Sequence, residues 1–294
     1  LTGASSYIGK YLILYFLKMG HKVLSTSRTS PKIHKKDHKW IKHDLSKKKM
    51  DLKRYRPDIV IHLAGLAWMN RPSEDYINSN ILTTNNLVKS LKNKKVKNFF
   101  YFSSRDIYGD FKGSVLKENS TINNPSIYGC SKLIAEKLLS NNFPVTILRL
   151  PSIIGLGTHG WINSIVEKLK NNKKITLSNH KFNNFMHASE LSKIVLKLAK
   201  SEIKSDTFLV SCSNIIRSNE VVKLLKSNLN SKSLIKINKD PKPNYIISSK
   251  KLNKYYKTIK VEEVINKFSS ELKFNKKQFI SIFSINLIFL FIRL

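Results

Sequence analysis

Residues 2–9 of the chain read Thr-Gly-Ala-Ser-Ser-Tyr-Ile-Gly, and they set the architecture expected for the rest of the chain. Gly3 suits a tight turn from a strand into a helix, and Gly9 suits close packing of that helix on the strand, because neither has a Cβ. Between them the backbone can approach a pyrophosphate, which the amides of the helix's first turn would bind. Ser6 stands where a glycine is usual, and its hydroxyl offers a phosphate contact. The stretch predicts a dinucleotide-binding turn, with an ordinary strand–helix turn as the alternative.

Strand and helix patterns alternate through the first half of the chain. Strand patterns lie at residues 21–28, 58–65, 97–104 and 145–150, and helical patterns lie at residues 9–19, 80–93 and 126–140. This alternation predicts parallel strands with helices on both faces of the sheet, that is, an α/β fold of the Rossmann type with a doubly wound parallel sheet. Only Leu1 and Thr2 precede the glycine turn, so we expect the first strand to be truncated.

Beyond Pro151 the pattern loosens into amphipathic helices and one strand at residues 206–212. We therefore predict a dinucleotide-binding domain at residues 1–150 and a smaller C-terminal lobe at residues 151–275, from which a strand can cross back to the sheet. Residues 276–294 form an apolar tail that is shorter than the roughly 20 residues needed to span a bilayer. It is interpreted as a weak membrane-surface anchor, a buried terminal element or a segment foreign to the fold.

The formal net charge is +34, which by itself suggests nucleic acid or an anionic membrane as a partner. The lysines are spread along the whole chain, however, so a compositional bias with a general attraction to anionic ligands is favoured over specific nucleic-acid binding. Cys130 and Cys212 give neither metal-ligand spacing nor a disulfide framework, and we predict no metal site. This cysteine content and the lack of a visible signal peptide indicate a cytoplasmic protein.

The second strand ends in Ser-Thr-Ser-Arg at residues 25–28, without a carboxylate. An acid at this place accepts hydrogen bonds from the adenosine ribose of NAD. Arg28 can instead bind a 2′-phosphate through charge-assisted hydrogen bonds, which favours NADP. NAD stays open as the cofactor, because Arg28 can also stack on the adenine of either dinucleotide.

Tyr128 and Lys132 are four residues apart on a predicted helix and therefore share one face. A tyrosine with a pKa near its usual value of about 10 is a poor base at neutral pH. We expect the Lys132 ammonium to lower the pKa of Tyr128 and to bind the cofactor ribose. Ser104, at the end of a strand, is placed to bind a substrate carbonyl oxygen and to share its proton with Tyr128. These three residues are the predicted catalytic set.

The chain resembles the extended short-chain dehydrogenase/reductase family, specifically its NAD(P)-dependent nucleotide-sugar epimerases, dehydratases and reductases. The resemblance runs from Thr2 to about Leu198 and rests on the order of its motifs. They are TGASSYIG (2–9), HDLS (43–46), HLAG (62–65), NILTTNNL (80–87), SSRDIYG (103–109), YGCSK (128–132), LRLPSIIGLG (148–157) and FMHASEL (185–191). The resemblance implies that the C-terminal lobe binds the nucleotide-sugar substrate.

The resemblance also implies roles for individual residues. The residues expected to contact the cofactor, besides Arg28 and the catalytic Tyr128 and Lys132, are Gly3, Ser6, Tyr7, Ile8 and Gly9 at the pyrophosphate, Asp44 and Leu45 at the adenine, and Leu63, Ala64, Gly65, Asn80 and Leu150. Ser104 and Ser152 are expected to contact the substrate. Relatives often form homodimers through a helix pair that includes the Tyr128 helix.

Two departures from the family pattern bear on function. Sugar dehydratases carry an Asp-Glu pair where this chain has Arg105-Asp106, so the arginine argues against dehydration. Ser152 stands where many relatives have an asparagine that orients the substrate diphosphate. The favoured function is reduction of a nucleotide-4-keto sugar, and a 4-epimerase with tightly bound NAD is the alternative. A third hypothesis is a non-catalytic dinucleotide-binding protein or scaffold, peripheral at the inner face of the membrane.

Overall fold

The computed structural model describes residues 1–67, 69–203, 205–238 and 245–273. The whole apolar tail predicted at residues 276–294, and with it the predicted membrane anchor, lies outside these residues. Among the helices of the described ranges, none combines the length and the apolar character that crossing a bilayer requires.

The secondary structure follows the predicted alternation. The strands are β1 (Val23–Ser27), β2 (His38–Lys42), β3 (Ile59–His62), β4 (Asn98–Ser104), β5 (Val115–Leu116), β6 (Val145–Leu150), β7 (Ser152–Ile154), β8 (Ile175–Ser178), β9 (Lys181–Phe182), β10 (Phe185–His187), β11 (Asp206–Leu209), β12 (Ile216–Arg217), β13 (Ile235–Asn238) and β14 (Ile246–Ile247). The helices are α1 (Tyr7–Lys18), α2 (Ser73–Tyr76), α3 (Thr83–Leu91), α4 (Ile127–Ser140), α5 (Trp161–Lys170), α6 (Ala188–Ala199), α7 (Ser218–Asn228), α8 (Lys250–Asn253) and α9 (Val261–Lys273). A π-helical segment, Ile77–Leu82, joins α2 to α3, and a 3₁₀ turn, Arg105–Tyr108, comes after β4.

The main sheet is parallel, with the strand order β2-β1-β3-β4-β6-β11. Leu1 and Thr2 lie between β1 and β3, where the first strand is expected: Thr2 bridges both Thr26 and His62, and its amide donates to the Ile61 carbonyl at 3.0 Å. Strand β11 comes from the C-terminal half of the chain and pairs with β6, as the predicted returning strand would. The fold is therefore the predicted Rossmann-type α/β fold.

Both faces of the sheet are covered by helices. The buried side chains of β4 point alternately into two hydrophobic clusters, one on each face. Phe100 and Phe102 pack with apolar residues of α1 and α6 on one face, and Phe99 and Tyr101 pack with those of α3 and α4 on the other. All seven residues of β4 are buried. Strands buried on both faces are typical of parallel sheets with helical crossovers.

A further hydrophobic cluster forms beyond β6 and belongs to the C-terminal part of the chain. It is built from the buried faces of α5, α7 and α9, with β8 and β10. A buried hydrogen-bond network joins this part to α1: the Tyr11 hydroxyl donates to Glu271 Oε2 on α9 at 2.5 Å and accepts from the Leu156 amide at 3.0 Å. His187, at the start of α6, also contacts Glu271. Helix α1, which carries the glycine turn, is thereby fixed to the C-terminal helices.

Substitution of Gly9 by alanine should destabilise the fold, although alanine is the better helix former. The added Cβ would lie 2.4 Å from the Gly3 carbonyl oxygen, a contact that backbone atoms must move to relieve. We expect the free energy of unfolding to fall by about 1–3 kcal/mol, the usual cost of overpacking. Urea denaturation measures this free energy. The control is Lys18→Ala, at an exposed position of the same helix, whose free energy of unfolding should differ from wild type by less than about 0.5 kcal/mol. Equal stability of Gly9→Ala and wild type would contradict this account of the turn.

Candidate functional site

The glycine turn packs against the end of β3, as a dinucleotide cradle requires. Gly3 has a φ of 73°, and a Cβ there would lie 2.9 Å from the Ala64 amide nitrogen. Ser6 caps α1: its hydroxyl donates to the Gly3 carbonyl at 2.8 Å and accepts from the Gly9 amide at 3.0 Å. The Ser6 hydroxyl thus makes hydrogen bonds within the turn, whereas the sequence analysis suggested a contact with a phosphate. The amino-terminal end of α1 stays exposed at Ser6, which fits an anionic pyrophosphate.

A chain of hydrogen bonds behind this turn fixes the tautomer of His62, which is fully buried. The Thr84 hydroxyl donates to the Asn80 carbonyl at 2.6 Å, so it accepts from His62 Nε2 at 3.0 Å. His62 Nδ1 then accepts from the Thr2 hydroxyl at 2.7 Å, and the Thr2 oxygen accepts from the Ala64 amide at 3.0 Å. Burial lowers the pKa of His62 to about 3, which keeps the ring neutral.

Asn80 holds the loop after β3 close to helix α4. Its side-chain oxygen accepts from the Leu66 amide at 2.7 Å, and its amide group donates to the Ser131 hydroxyl at 2.8 Å. A Cβ at Gly65 would lie 2.5 Å from that side-chain oxygen, so the loop passes too closely for a larger residue. The predicted ordering role of Asn80 is consistent with this position between the two elements.

The other predicted cofactor residues differ in how far their side chains are buried. Tyr7 donates from its hydroxyl to the Ile153 carbonyl at 3.0 Å, while Ile8 and Leu63 are half-buried against the main cluster. Leu45 and Leu150 have buried side chains, so their predicted cofactor contacts would use the main chain.

At the end of β1, Arg28 is exposed and lies near Asp44. Partial burial opposes ionisation of Asp44, but hydrogen bonds from Ser46 and the Arg28 charge lower its pKa on balance. The predicted substrate residue Ser152 is also exposed, beyond β6. Its amide donates to the Asn184 carbonyl at 3.2 Å.

Ser104 and Tyr128 meet where β4 ends and α4 begins. Both are buried, and the Ser104 hydroxyl lies close enough to the Tyr128 phenol to lower its pKa. Ser126 caps α4 by accepting from the Gly129 amide at 3.2 Å. A Cβ at Gly129 would lie 2.4 Å from the Asp106 carbonyl oxygen, so this glycine lets α4 approach the turn that carries Ser104.

Lys132 lies in the same buried site, but its ammonium is directed at the sheet. Nζ donates to the Phe102 carbonyl at 2.9 Å and lies 4.9 Å from the centre of the Tyr101 ring. Burial lowers the pKa of Lys132 to about 8, while Glu136 raises it. Burial also raises the pKa of Tyr128, with the Ser104 hydroxyl acting in the opposite direction. In this structure the pKa of Tyr128 is thus raised and not lowered as expected, and the Lys132 ammonium binds the Phe102 carbonyl.

A buried ion pair that the sequence analysis did not identify holds the catalytic elements together. Glu136 lies one helical turn beyond Lys132, and its side-chain oxygens accept from Arg149 Nε at 3.1 Å and Nη2 at 2.8 Å. Ser103, the neighbour of Ser104, donates to the same carboxylate at 2.5 Å. The side chains of Arg149 and Glu136 are only 11% and 5% exposed. One carboxylate therefore connects β4, α4 and β6.

A cavity of about 770 Å³ lies elsewhere, between the amino-terminal ends of β1 and β3. Its lining includes Val23, Leu24, Ile59 and Val60, and none of Ser104, Tyr128 and Lys132. The candidate site is at the opposite, carboxyl-terminal ends of the strands, the side on which open α/β sheets bind ligands. We therefore locate the candidate site at Ser104, Tyr128 and Lys132 and not at this cavity.

Replacing Glu136 by Gln should lower the pKa of Lys132 below about 8, because the charge that raises it is removed. The same change leaves the Arg149 charge buried without a counter-charge, at a cost of about 3 kcal/mol in unfolding free energy. NMR titration of the Lys132 ε-carbon measures the pKa, and urea denaturation measures the free energy of unfolding. Glu167→Gln, on the exposed face of α5, is the control and should alter neither. An unchanged Lys132 titration in Glu136→Gln would refute the proposed coupling.

Comparison with known proteins identifies the family of the chain. The family model described as the NAD dependent epimerase/dehydratase family matches residues 1–210. A UDP-glucose 4-epimerase of Haemophilus influenzae is 29% identical over 198 residues, which are 58% of each chain. A dTDP-D-glucose 4,6-dehydratase of Dictyostelium discoideum is 33% identical over 141 residues, 41% of this chain and 32% of that protein. The chain thus matches less than two thirds of the length of these relatives.

Solved structures show the same fold at low sequence identity. The UDP-glucuronic acid 4-epimerase of Bacillus cereus, in complex with NAD, has a TM-score of 0.78 at 18% identity, covering 92% of this chain and 97% of that one. The Bordetella bronchiseptica enzyme WbmH, in complex with NAD⁺, has a TM-score of 0.81 at 16% identity, with the same coverage. Together with the match over residues 1–210, the glycine turn and the Ser104, Tyr128 and Lys132 side chains agree on one assignment: the chain belongs to the NAD-dependent epimerase/dehydratase family.

Proposed function

We propose that the protein is a nucleotide-sugar 4-epimerase. The observation that carries the proposal is the burial of Ser104, Tyr128 and Lys132 in one site at the carboxyl end of β4, where Ser104 acts on the pKa of the Tyr128 phenol. Similar proteins from Haemophilus influenzae and Yersinia pestis are UDP-glucose 4-epimerases, which supports the 4-epimerase over the favoured reductase of the sequence analysis. Fold alone does not decide the reaction, so the argument rests on these side chains.

The site residues can carry the proton half of the reaction. Tyr128 removes the proton of the C4 hydroxyl, and Ser104 binds the oxygen as it becomes a carbonyl. NAD, held by the Gly3–Gly9 turn, would supply the reversible redox chemistry at C4. Tyr128 then gives the proton back to the same oxygen, so that no net oxidation occurs. Because burial raises the pKa of Tyr128, its ionisation needs a nearby positive charge, which Lys132 provides if it turns from the Phe102 carbonyl toward the ribose and phenol.

The residues present fit a dinucleotide. The turn leaves no room for a Cβ at Gly3 or Gly9, and the exposed amino-terminal end of α1 suits an anionic pyrophosphate. Dehydration is disfavoured, because Arg105 stands where elimination of water requires an acid. Reduction of a 4-keto sugar by NADPH remains a second candidate, favoured by exposed Arg28 at the carboxyl end of β1.

Substitution of Tyr128 by Phe should reduce turnover of UDP-sugars by at least about a hundredfold, the lower range for loss of a general acid–base. Binding of the dinucleotide should persist, since the phenyl ring keeps the packing. We would measure interconversion of UDP-glucose and UDP-galactose, interconversion of UDP-glucuronic acid and UDP-galacturonic acid, and the nicotinamide content of the purified protein. Tyr55→Phe, in a loop far from Ser104, is the matched control with expected wild-type turnover.

The outcomes separate the candidate functions. Sugar interconversion with no added cofactor supports the epimerase. Consumption of NADPH with a 4-keto sugar supports the reductase and a 2′-phosphate contact of Arg28. Full activity in Tyr128→Phe would contradict both, and dinucleotide binding without either activity would favour a non-catalytic protein.

We also propose that the protein forms a homodimer through α4 and the π-helical segment that packs on it. Ile127 and Ile134 on α4 are each 45% exposed, and Ile77 and Leu82 on the neighbouring segment are also exposed. Apolar side chains grouped on adjacent helices mark an interaction surface more often than single exposed residues do. We expect light scattering to show a dimer in the wild type and a monomer in Ile134→Asp. A wild-type monomer at micromolar concentration would contradict the proposal.

A further inference from the structure

Arg105 lies directly after Ser104 and begins the 3₁₀ turn at the end of β4. Its guanidinium carbon lies 5.7 Å from the centre of the Tyr245 ring, and Nη2 lies 3.4 Å from Asp106 Oδ1. That separation is longer than the roughly 2.7–2.9 Å of a charge-assisted hydrogen bond. Across the described ranges of the chain, this long ion pair is the only polar contact of the guanidinium. Arg105 is thus a positioned cation most of whose donors are unused.

The neighbouring acid does not neutralise this cation fully. Asp106 Oδ2 accepts from the Ser104 hydroxyl at 3.1 Å, so the carboxylate divides its contacts between Ser104 and Arg105. The side chain of Arg105 is 30% exposed, which leaves it open to a ligand while limiting its hydration. A guanidinium presents donors in a flat fork that matches a carboxylate at two points. These properties are those of an anion-binding group beside a catalytic hydroxyl.

The position of Arg105 indicates which part of a sugar it would meet, if the proposed function is correct. Ser104 binds the oxygen on C4, and consecutive Cα atoms are only about 3.8 Å apart, so Arg105 works close to that carbon. In a hexose the ring neighbours of C4 are C3, whose hydroxyl is neutral, and C5, which carries C6, whereas the diphosphate is attached across the ring at C1. An anion near Arg105 is therefore expected on C6.

We propose that Arg105 is a specificity-determining residue that binds a carboxylate on C6, so that the preferred substrate is a nucleoside-diphosphate hexuronic acid. The inference rests on the proposed function for the placement of C4 at Ser104. The inference goes beyond the proposed function by naming the class of sugar. A neutral hexose would offer the Arg105 donors no carboxylate at C6. Asp106 favours the same orientation by keeping the guanidinium beside the catalytic turn.

The test compares UDP-glucuronic acid with UDP-glucose in wild type, Arg105→Gln and Arg105→Lys. Calorimetry gives the affinity of each UDP-sugar, and kcat/KM gives its rate of 4-epimerisation. Arg105→Gln should lower the affinity for UDP-glucuronic acid by about tenfold to a hundredfold, as expected for lost charge-assisted hydrogen bonds. The affinity for UDP-glucose should change by less than about threefold. Arg105→Lys should retain part of the preference, since it keeps the charge and loses the fork. Arg54→Gln, exposed and outside the site, is the control.

The outcomes also distinguish this inference from the proposed function. Wild-type protein that binds UDP-glucose as tightly as UDP-glucuronic acid, or an Arg105→Gln variant that weakens both equally, would overturn the inference. Epimerisation of UDP-glucose in those cases would leave the proposed function standing. Binding of UDP-glucuronic acid that depends on Arg105, without interconversion of either sugar, would support the inference and overturn the epimerase. Failure to bind either sugar would overturn both.

Discussion

The contact between helix α4 and strand β4 is the constraint on which the site depends. Gly129 allows α4 to approach the Asp106 carbonyl, the Lys132 ammonium binds the Phe102 carbonyl, and the Glu136 carboxylate accepts from Ser103. These contacts lie along one face of the helix at intervals of three or four residues, so they share the orientation of that face. Displacement of α4 along the strand would separate Tyr128 from Ser104. The polar contacts therefore set the geometry of the reacting groups as well as the packing.

The electrostatic character of the site results from the same burial. Lys132 and Tyr128 are both shielded from water, and burial disfavours the charged form of each. The Glu136 carboxylate, held in place by Arg149, supplies a negative charge one helical turn from Lys132, which counteracts part of the effect of burial on the pKa of Lys132. A site built this way keeps its phenol protonated until a ligand changes the local charge. Proton transfer is then coupled to binding, because the ionised phenol is costly in the empty site.

The sequence allowed the fold to be predicted, and candidate site residues to be chosen, where the signal is local. The glycine turn, the buried strands and the spacing of Tyr128 and Lys132 are all contained in short segments. Strand β2 was not predicted, because it is partly exposed and its lysine and histidine residues hide any apolar alternation. Helix α9 was also not predicted, although Val261, Val264, Ile265 and Phe268 have helical spacing and could have been used.

The missing parts of the site depend on contacts between distant segments. Glu136 is visible in the sequence four residues after Lys132, but its partner Arg149 lies on another strand and no local pattern joins the two. The direction of the Tyr128 pKa shift could not be predicted from the sequence either. The spacing of charged residues is visible in a sequence, whereas the burial that raises this pKa is not. The same holds for Ser6, whose hydroxyl caps α1 in the fold.

The most direct test of the account is to follow a deuterium atom at C4 of UDP-glucuronic acid and, in parallel, of UDP-glucose. If Ser104 and Tyr128 support reversible hydride exchange at C4, protein without added cofactor should form the C4 epimer of at least one sugar with the deuterium retained at that carbon. NMR and mass spectrometry of the product measure this. Failure to form either epimer, or hydrogen at C4 that comes only from added NADPH, would contradict the central claim.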